Sequence, residues 1–318
     1  MAGLFLKNHL HIRPMYAVSK QQRNTKTRKW FYLCRHKKFK KLSKRWLPLV
    51  LLLALVLVWG SSFMLIKRGL RHFDAATVGA LRVTLSFLFL LPLALTRISR
   101  VSKKEFGWLT ISGIIGSLLP AYLFAFAQTG LDSGTAGLLN ALTPLFTLLV
   151  GIFFFRLKVR WLQAAGVLIG LIGAIGLISS SGGKGMSFNL PYASLIILAT
   201  ILYAFNVNLI KSKLHRVDSI SITSITFLVP GIIASVILFT LTPVVDKLTH
   251  EPTAWTGLGY IALLAIMGTA LALMVFNMLI KLTGPVFASS VTYLIPIIAL
   301  MWGVVDGEFF SMMYLLWI

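Results

Sequence analysis

A chain of 318 residues with 57% hydrophobic residues, 12% charged residues and a mean hydropathy of +0.85 is not a soluble globular domain. Its net charge of +23 resembles a nucleic-acid signature, but 14 of the 31 Lys and Arg precede Trp46, so the excess belongs to one tail. The lone cysteine, Cys34, sits in that tail and excludes both an internal disulfide framework and a cysteine-rich metal site.

Residues 1–46 are basic, acid-free and without apolar periodicity, and Leu4–Leu6 is too short for a secretory signal core. The first reading is a cytosolic tail held near anionic lipid headgroups, each Lys or Arg contributing about 1 kcal/mol at the surface. An organellar transit peptide and an extension without function stay open. No nucleic-acid-binding fold is visible there.

Nine apolar runs of about 20 residues follow, each long enough to cross a bilayer as a helix and too unalternating for barrel strands. They are Leu47–Ile66, Ala75–Thr96, Phe106–Ala127, Thr135–Phe155, Trp161–Ser179, Pro191–Ile210, Ser219–Leu241, Gly257–Ile280 and Pro285–Val304. A tenth starts at Phe309. The fold class is an all-α polytopic membrane protein.

The chain repeats itself. Trp59–Asp74 lies over Tyr203–Asp218 without a gap at an offset of 144, matching Leu65/Leu209, Lys67/Lys211 and Asp74/Asp218. Further on, Gly107/Gly259, Gly116/Gly268, Phe124/Phe276 and Pro144/Pro296 coincide at 152; the change falls in the longer connector Leu241–Thr256. Two copies of one five-helix unit are therefore expected, at residues 47–180 and 190–318 behind the tail 1–46. Trp161, which opens the fifth run, maps to position 313, leaving six residues of its counterpart. The tenth helix is expected to be truncated.

Five crossings per copy place the second copy upside down relative to the first. Inverted repeats around a midplane site are the architecture of many secondary transporters. With the N-terminus cytoplasmic, the inner connectors hold 11 Lys and Arg and the outer ones 5, the tail left out, as the positive-inside rule expects. The expected location is a multipass cytoplasmic (inner) membrane.

Several of these residues resemble the EamA-type drug/metabolite transporter superfamily. They are Val58–Phe63, Ala80-Leu81-Arg82, the prolines at 144 and 296, and Gly303–Glu308 at the end of the ninth run. The resemblance covers about residues 51–308. It implies ten helices, cytoplasmic termini, a central cavity between the halves, and export or exchange of amino acids or similar solutes. The family's paired Glu at the ends of the fourth and ninth runs is only half present. Glu308 matches, but its counterpart is Arg156.

No enzyme constellation is found. All six histidines lie in the tail or connectors, and no phosphate-cradling loop or paired carboxylates occur within a run. Neither a cofactor nor a metal is expected. Polar groups within spans are the useful candidates, because unsatisfied ones are costly in lipid. The substrate-path set is Trp59, Ser62, Arg82, Tyr122, Asn140, Tyr203, Asn206, Asn277, Thr292 and Tyr293. Trp59/Ser62 and Tyr203/Asn206 are repeat-related pairs at i, i+3, and Asn140 and Thr292 also correspond. Pro144 and Pro296 are hinge or kink candidates. Gly166, Gly170 and Gly173 form a stripe for close helix packing, against the tenth helix or another subunit. The function expected is a secondary transporter exporting or exchanging a small amphipathic metabolite by alternating access. A non-turnover channel or scaffold, or a membrane enzyme, are the alternatives.

Overall fold

A computed structural model of the chain describes residues 46–158, 160–180 and 189–305. The basic tail, the Gly182–Gly185 loop, Glu308 and the start of the tenth run lie outside the described residues. The chain divides after Leu47 into two units; the second, from Pro48, carries everything that follows.

Among the described residues there are helices and no strands. We label them α1 Trp46–Leu70, α2 Ala75–Arg100, α3 Lys103–Gly130, α4 Ser133–Phe155, α5 Trp161–Ser180, α6 Leu190–Lys213, α7 Ser219–Leu241, α8 Val244–His250, α9 Ala254–Thr283 and α10 Pro285–Gly303. Eight of them are long and apolar enough to cross a membrane; α5 contributes the shorter apolar stretch Trp161–Gly173. The sequence reads the stretch before α9 as a plain connector. It contains α8, held by Trp255 Nε1 donating to the Leu248 carbonyl and Lys247 Nζ donating to the His72 carbonyl.

Helix ends follow local chemistry. Asp74 caps α2 by accepting from the Thr77 backbone, and its counterpart Asp218 caps α7 by accepting from Ser221. Each such cap contributes about 1 kcal/mol. Ser102 and Glu105 close a capping box on α3. Gly284, at φ 103°, makes the turn between α9 and α10 in a conformation that side-chain-bearing residues rarely adopt.

Packing separates two surfaces. Phe153 and Phe154 are 74% and 68% exposed, and Leu53, Leu57, Ile169 and Ile172 also stand outward. In water such a belt would be an aggregation surface; against acyl chains it is at no disadvantage. Inside, α2 packs along α7, and α6 packs against α3 and α4. Gly60 brings α1 onto α10, where an added Cβ would lie 2.4 Å from the Ile298 Cβ. Gly170 of the expected stripe meets the Tyr293 ring of α10; the tenth run lies outside the described residues.

Candidate functional site

The core helices enclose a cavity with about 900 Å³ of empty space, the solvent at its mouth included. From the first copy, α1 supplies Trp59, Ser62 and Phe63, and α2 supplies Arg82; α3 adds Ser117 and Phe124, and α4 adds Asn140 and Thr143. From the second copy come Tyr203 and Asn206 on α6, Thr269 and Phe276 on α9, and Ser289 and Thr292 on α10.

The walls are shaped by two π-helical stretches, Ile114–Leu118 in α3 and Leu264–Leu271 in α9. They occupy corresponding places in the two copies. A π stretch inserts an extra residue into a turn and often marks a functional site. Each carries a glycine at the cavity wall, and each glycine receives a polar side chain from the other copy. An added Cβ on Gly116 would stand 2.0 Å from Asn206 Nδ2; on Gly268 it would stand 2.7 Å from Ser62 Oγ. Ser62 and Asn206 are themselves repeat counterparts, so one contact is built twice. Ser112 Oγ donates to Asn206 Oδ1 at 2.6 Å, and Trp59 Nε1 donates to the Gly268 carbonyl at 2.9 Å. The Trp59 ring also meets Phe276 edge-on at 4.9 Å, and Phe124 stacks on Tyr203 at 6.0 Å.

The symmetry fails at one position. Arg82 faces the cavity, whereas its counterpart at the same offset of 144 is Thr226, whose hydroxyl is buried without a partner. Arg82 Nε donates to Thr269 Oγ1 at 2.9 Å, and that hydroxyl donates in turn to the Leu264 carbonyl five residues back, at 3.2 Å.

Seven of the ten sequence-derived candidates meet at this wall: Trp59, Ser62, Arg82, Asn140, Tyr203, Asn206 and Thr292. The other three are placed elsewhere. Asn277 donates to Thr223 Oγ1 of α7, the Tyr293 hydroxyl donates to the Val167 carbonyl of α5, and the Tyr122 ring packs on Gly79 of α2. Pro144 sits at the start of the second half of α4, just after its break at Ala141–Leu142, and Thr143 bonds back to Asn140 across that break. Pro296 lies inside a continuous helical stretch, since α10 breaks earlier, at Ser290. Thr143, Thr269, Phe124, Phe276, Ser117 and Ser289 also line the wall, and the sequence marks Phe124 and Phe276 through their repeat match.

Two helical copies folded about one largely apolar cavity that carries a few polar groups, within a lipid-facing shell, are the arrangement of a membrane transporter. The chain belongs to the EamA-like transporter family, which it matches over residues 46–179 and 190–316. It is a multipass membrane transporter, not an enzyme. It is 30% identical over 268 residues to the uncharacterized inner membrane transporter YedA of Escherichia coli K12, covering 82% of this chain and 83% of that one. A probable amino-acid metabolite efflux pump of Salmonella typhimurium is 33% identical over 132 residues, covering 41% of this chain and 42% of the relative. A probable terminal-alkyne amino-acid exporter of Streptantibioticus cattleyicolor is 29% identical over 147 residues, 45% and 47% of the two chains. One crystal structure superposes with a TM-score of 0.62 at 18% identity over 84% of this chain and 91% of the other, a likeness of fold alone.

Proposed function

We propose that the protein exports or exchanges a small, amphipathic, amino-acid-like metabolite by alternating access of its two repeat halves, residues 47–180 and 190–318, in the cytoplasmic membrane. The observation that carries this reading is the doubled contact at the cavity wall, Asn206 against Gly116 and Ser62 against Gly268. Two near-equivalent interfaces at one cavity can open in turn at little net cost, because what one loses the other gains. Inverted repeats in secondary transporters rock in this way. The mixed wall of ring faces, hydroxyls and amides suits a solute with one apolar and one polar end, and the amino-acid exporters among the relatives favour that class. The positive-inside bias supports a cytoplasmic N-terminus, with the tail 1–46 near anionic headgroups.

Counterflow in proteoliposomes preloaded with amino acids and their derivatives tests the reading. Saturable uptake of label stimulated by unlabelled solute on the other side is the expected result. Unsaturable, unstimulated flux would make the protein a pore. No flux of any member would remove the amino-acid-like class.

A further inference from the structure

The transporter reading leaves open what Arg82 is for. Among the described residues its guanidinium has a single protein hydrogen bond, from Nε to Thr269. Neither terminal nitrogen has a protein acceptor, and the described cavity wall contains no Asp or Glu. The ion pairs among the described residues lie elsewhere, Arg97–Asp218 and His250–Asp246. An arginine within a span is costly to place in lipid. One that serves only as scaffold normally recovers this through a carboxylate or several carbonyls. Arg82 instead has its orientation fixed at Nε, through the relay to Leu264, and its side chain lines the cavity.

We propose that Arg82 anchors the carboxylate of the transported solute, so that the substrate is a monocarboxylate with an apolar or aromatic remainder. This deepens the transporter reading above and rests on it. The planar fork of a guanidinium offers parallel N–H groups that a carboxylate accepts in bidentate fashion. Charge matching selects among anions. One fixed positive charge balances one carboxylate, whereas a phosphate ester, at about −1.5 to −2, would leave excess negative charge in an apolar cavity. Phe63, Phe124, Phe276 and Trp59 supply the surface for the remainder. A cationic amine lacking a carboxylate would meet Arg82 with no acid to offset the repulsion. Because Thr226 replaces the arginine in the second copy, there is one anchor and one carboxylate per carrier.

The test uses the purified full chain in detergent and four small probes: phenylalanine, phenylacetate, phenylacetamide and phenethylamine. Phenylalanine and phenylacetate should raise the melting temperature in a saturable way, and the amide and the amine should not. Arg82→Gln should weaken the carboxylate response about 10- to 100-fold, the loss expected for charged hydrogen bonds. Its ligand-free melting temperature should stay at or above that of the wild type, because an unpaired cation has been removed; a scaffold arginine would lower it. Arg82→Lys, which keeps the charge but loses the fork, should fall between the two. Equal responses to all four probes, no response to either carboxylate, or an Arg82→Gln protein that melts lower yet keeps the full carboxylate shift would overturn the proposal. The wild-type comparison stands even if both variants misfold. In counterflow, movement of phenylacetamide without phenylacetate would overturn the anchor and leave the transporter standing. Carboxylate stabilisation without any flux would uphold the anchor and remove the transporter reading.

Discussion

Gly116→Ala adds one methyl group at a place where α3 lies close against Asn206 of α6. The new Cβ would stand 2.0 Å from Asn206 Nδ2 and 2.5 Å from its Cγ, well inside contact distance. Asn206 cannot simply swing away, because Ser112 holds its Oδ1 at 2.6 Å in a buried site. Releasing that bond costs about 0.5–1.5 kcal/mol, and overpacking a helix interface typically costs about 1–3 kcal/mol altogether. The intrinsic helix preference of Ala over Gly returns about 0.5–1 kcal/mol. The net expectation is a loss of roughly 1–2 kcal/mol, by the same overpacking estimate. The repeat supplies its own controls. Gly107 and Gly259 are a matched pair with nothing within 4 Å of an added Cβ, so Gly107→Ala and Gly259→Ala should be neutral or stabilising. Gly268→Ala meets the Ser62 hydroxyl at 2.7 Å and should fall between. Melting of the five proteins in detergent, followed by counterflow, reads the series. If Gly116→Ala melts with Gly107→Ala, the close approach of α3 and α6 is not where the structure puts it.

Trp59→Phe keeps a ring against Phe276 but removes the indole bond to the Gly268 carbonyl, so it should lower stability by about 1 kcal/mol. On the transporter reading its counterflow KM should also rise. Tyr293→Phe and Asn277→Leu break bonds outside the cavity, to Val167 and Thr223. Both should lower the melting temperature without shifting KM; a changed KM would put them back on the substrate path. For Asp218, burial alone would raise the carboxyl, but the Ser221 hydrogen bonds and the charge of Arg97 outweigh it and hold the group below the ordinary 3.8. A depressed carboxylate stabilises the fold above the unfolded value and loses that contribution as pH falls through the folded one. Asp218→Asn, still a good cap, should therefore melt lower near neutrality by at most about 1 kcal/mol, given the exposure of the pair. Its deficit should close as pH falls below about 4. A deficit independent of pH would remove the charge from the explanation.

The sequence by itself determined the spans, the duplication and most of the cavity-facing polar set. Hydrocarbon thickness dictates how long an apolar helix must be. The i, i+3 geometry that puts Tyr203 and Asn206 on one face is a property of any α-helix. Matching Trp59 and Ser62 to them needed only the offset. What the tertiary structure decided is rotation. On α9 Phe276 faces the cavity and Asn277 does not, and on α10 Thr292 faces it and Tyr293 does not. Neighbours on a helix point about 100° apart, and the packing of the whole bundle sets which of them turns inward. In α9 the π stretch at Leu264–Leu271 changes that phase once more, and no local pattern in the sequence announces it. The surroundings of Arg82 belong to the same class of information. The sequence shows an arginine in an apolar run; only the fold brings Thr269, 187 positions away, to its Nε and sets the side chain in the cavity wall.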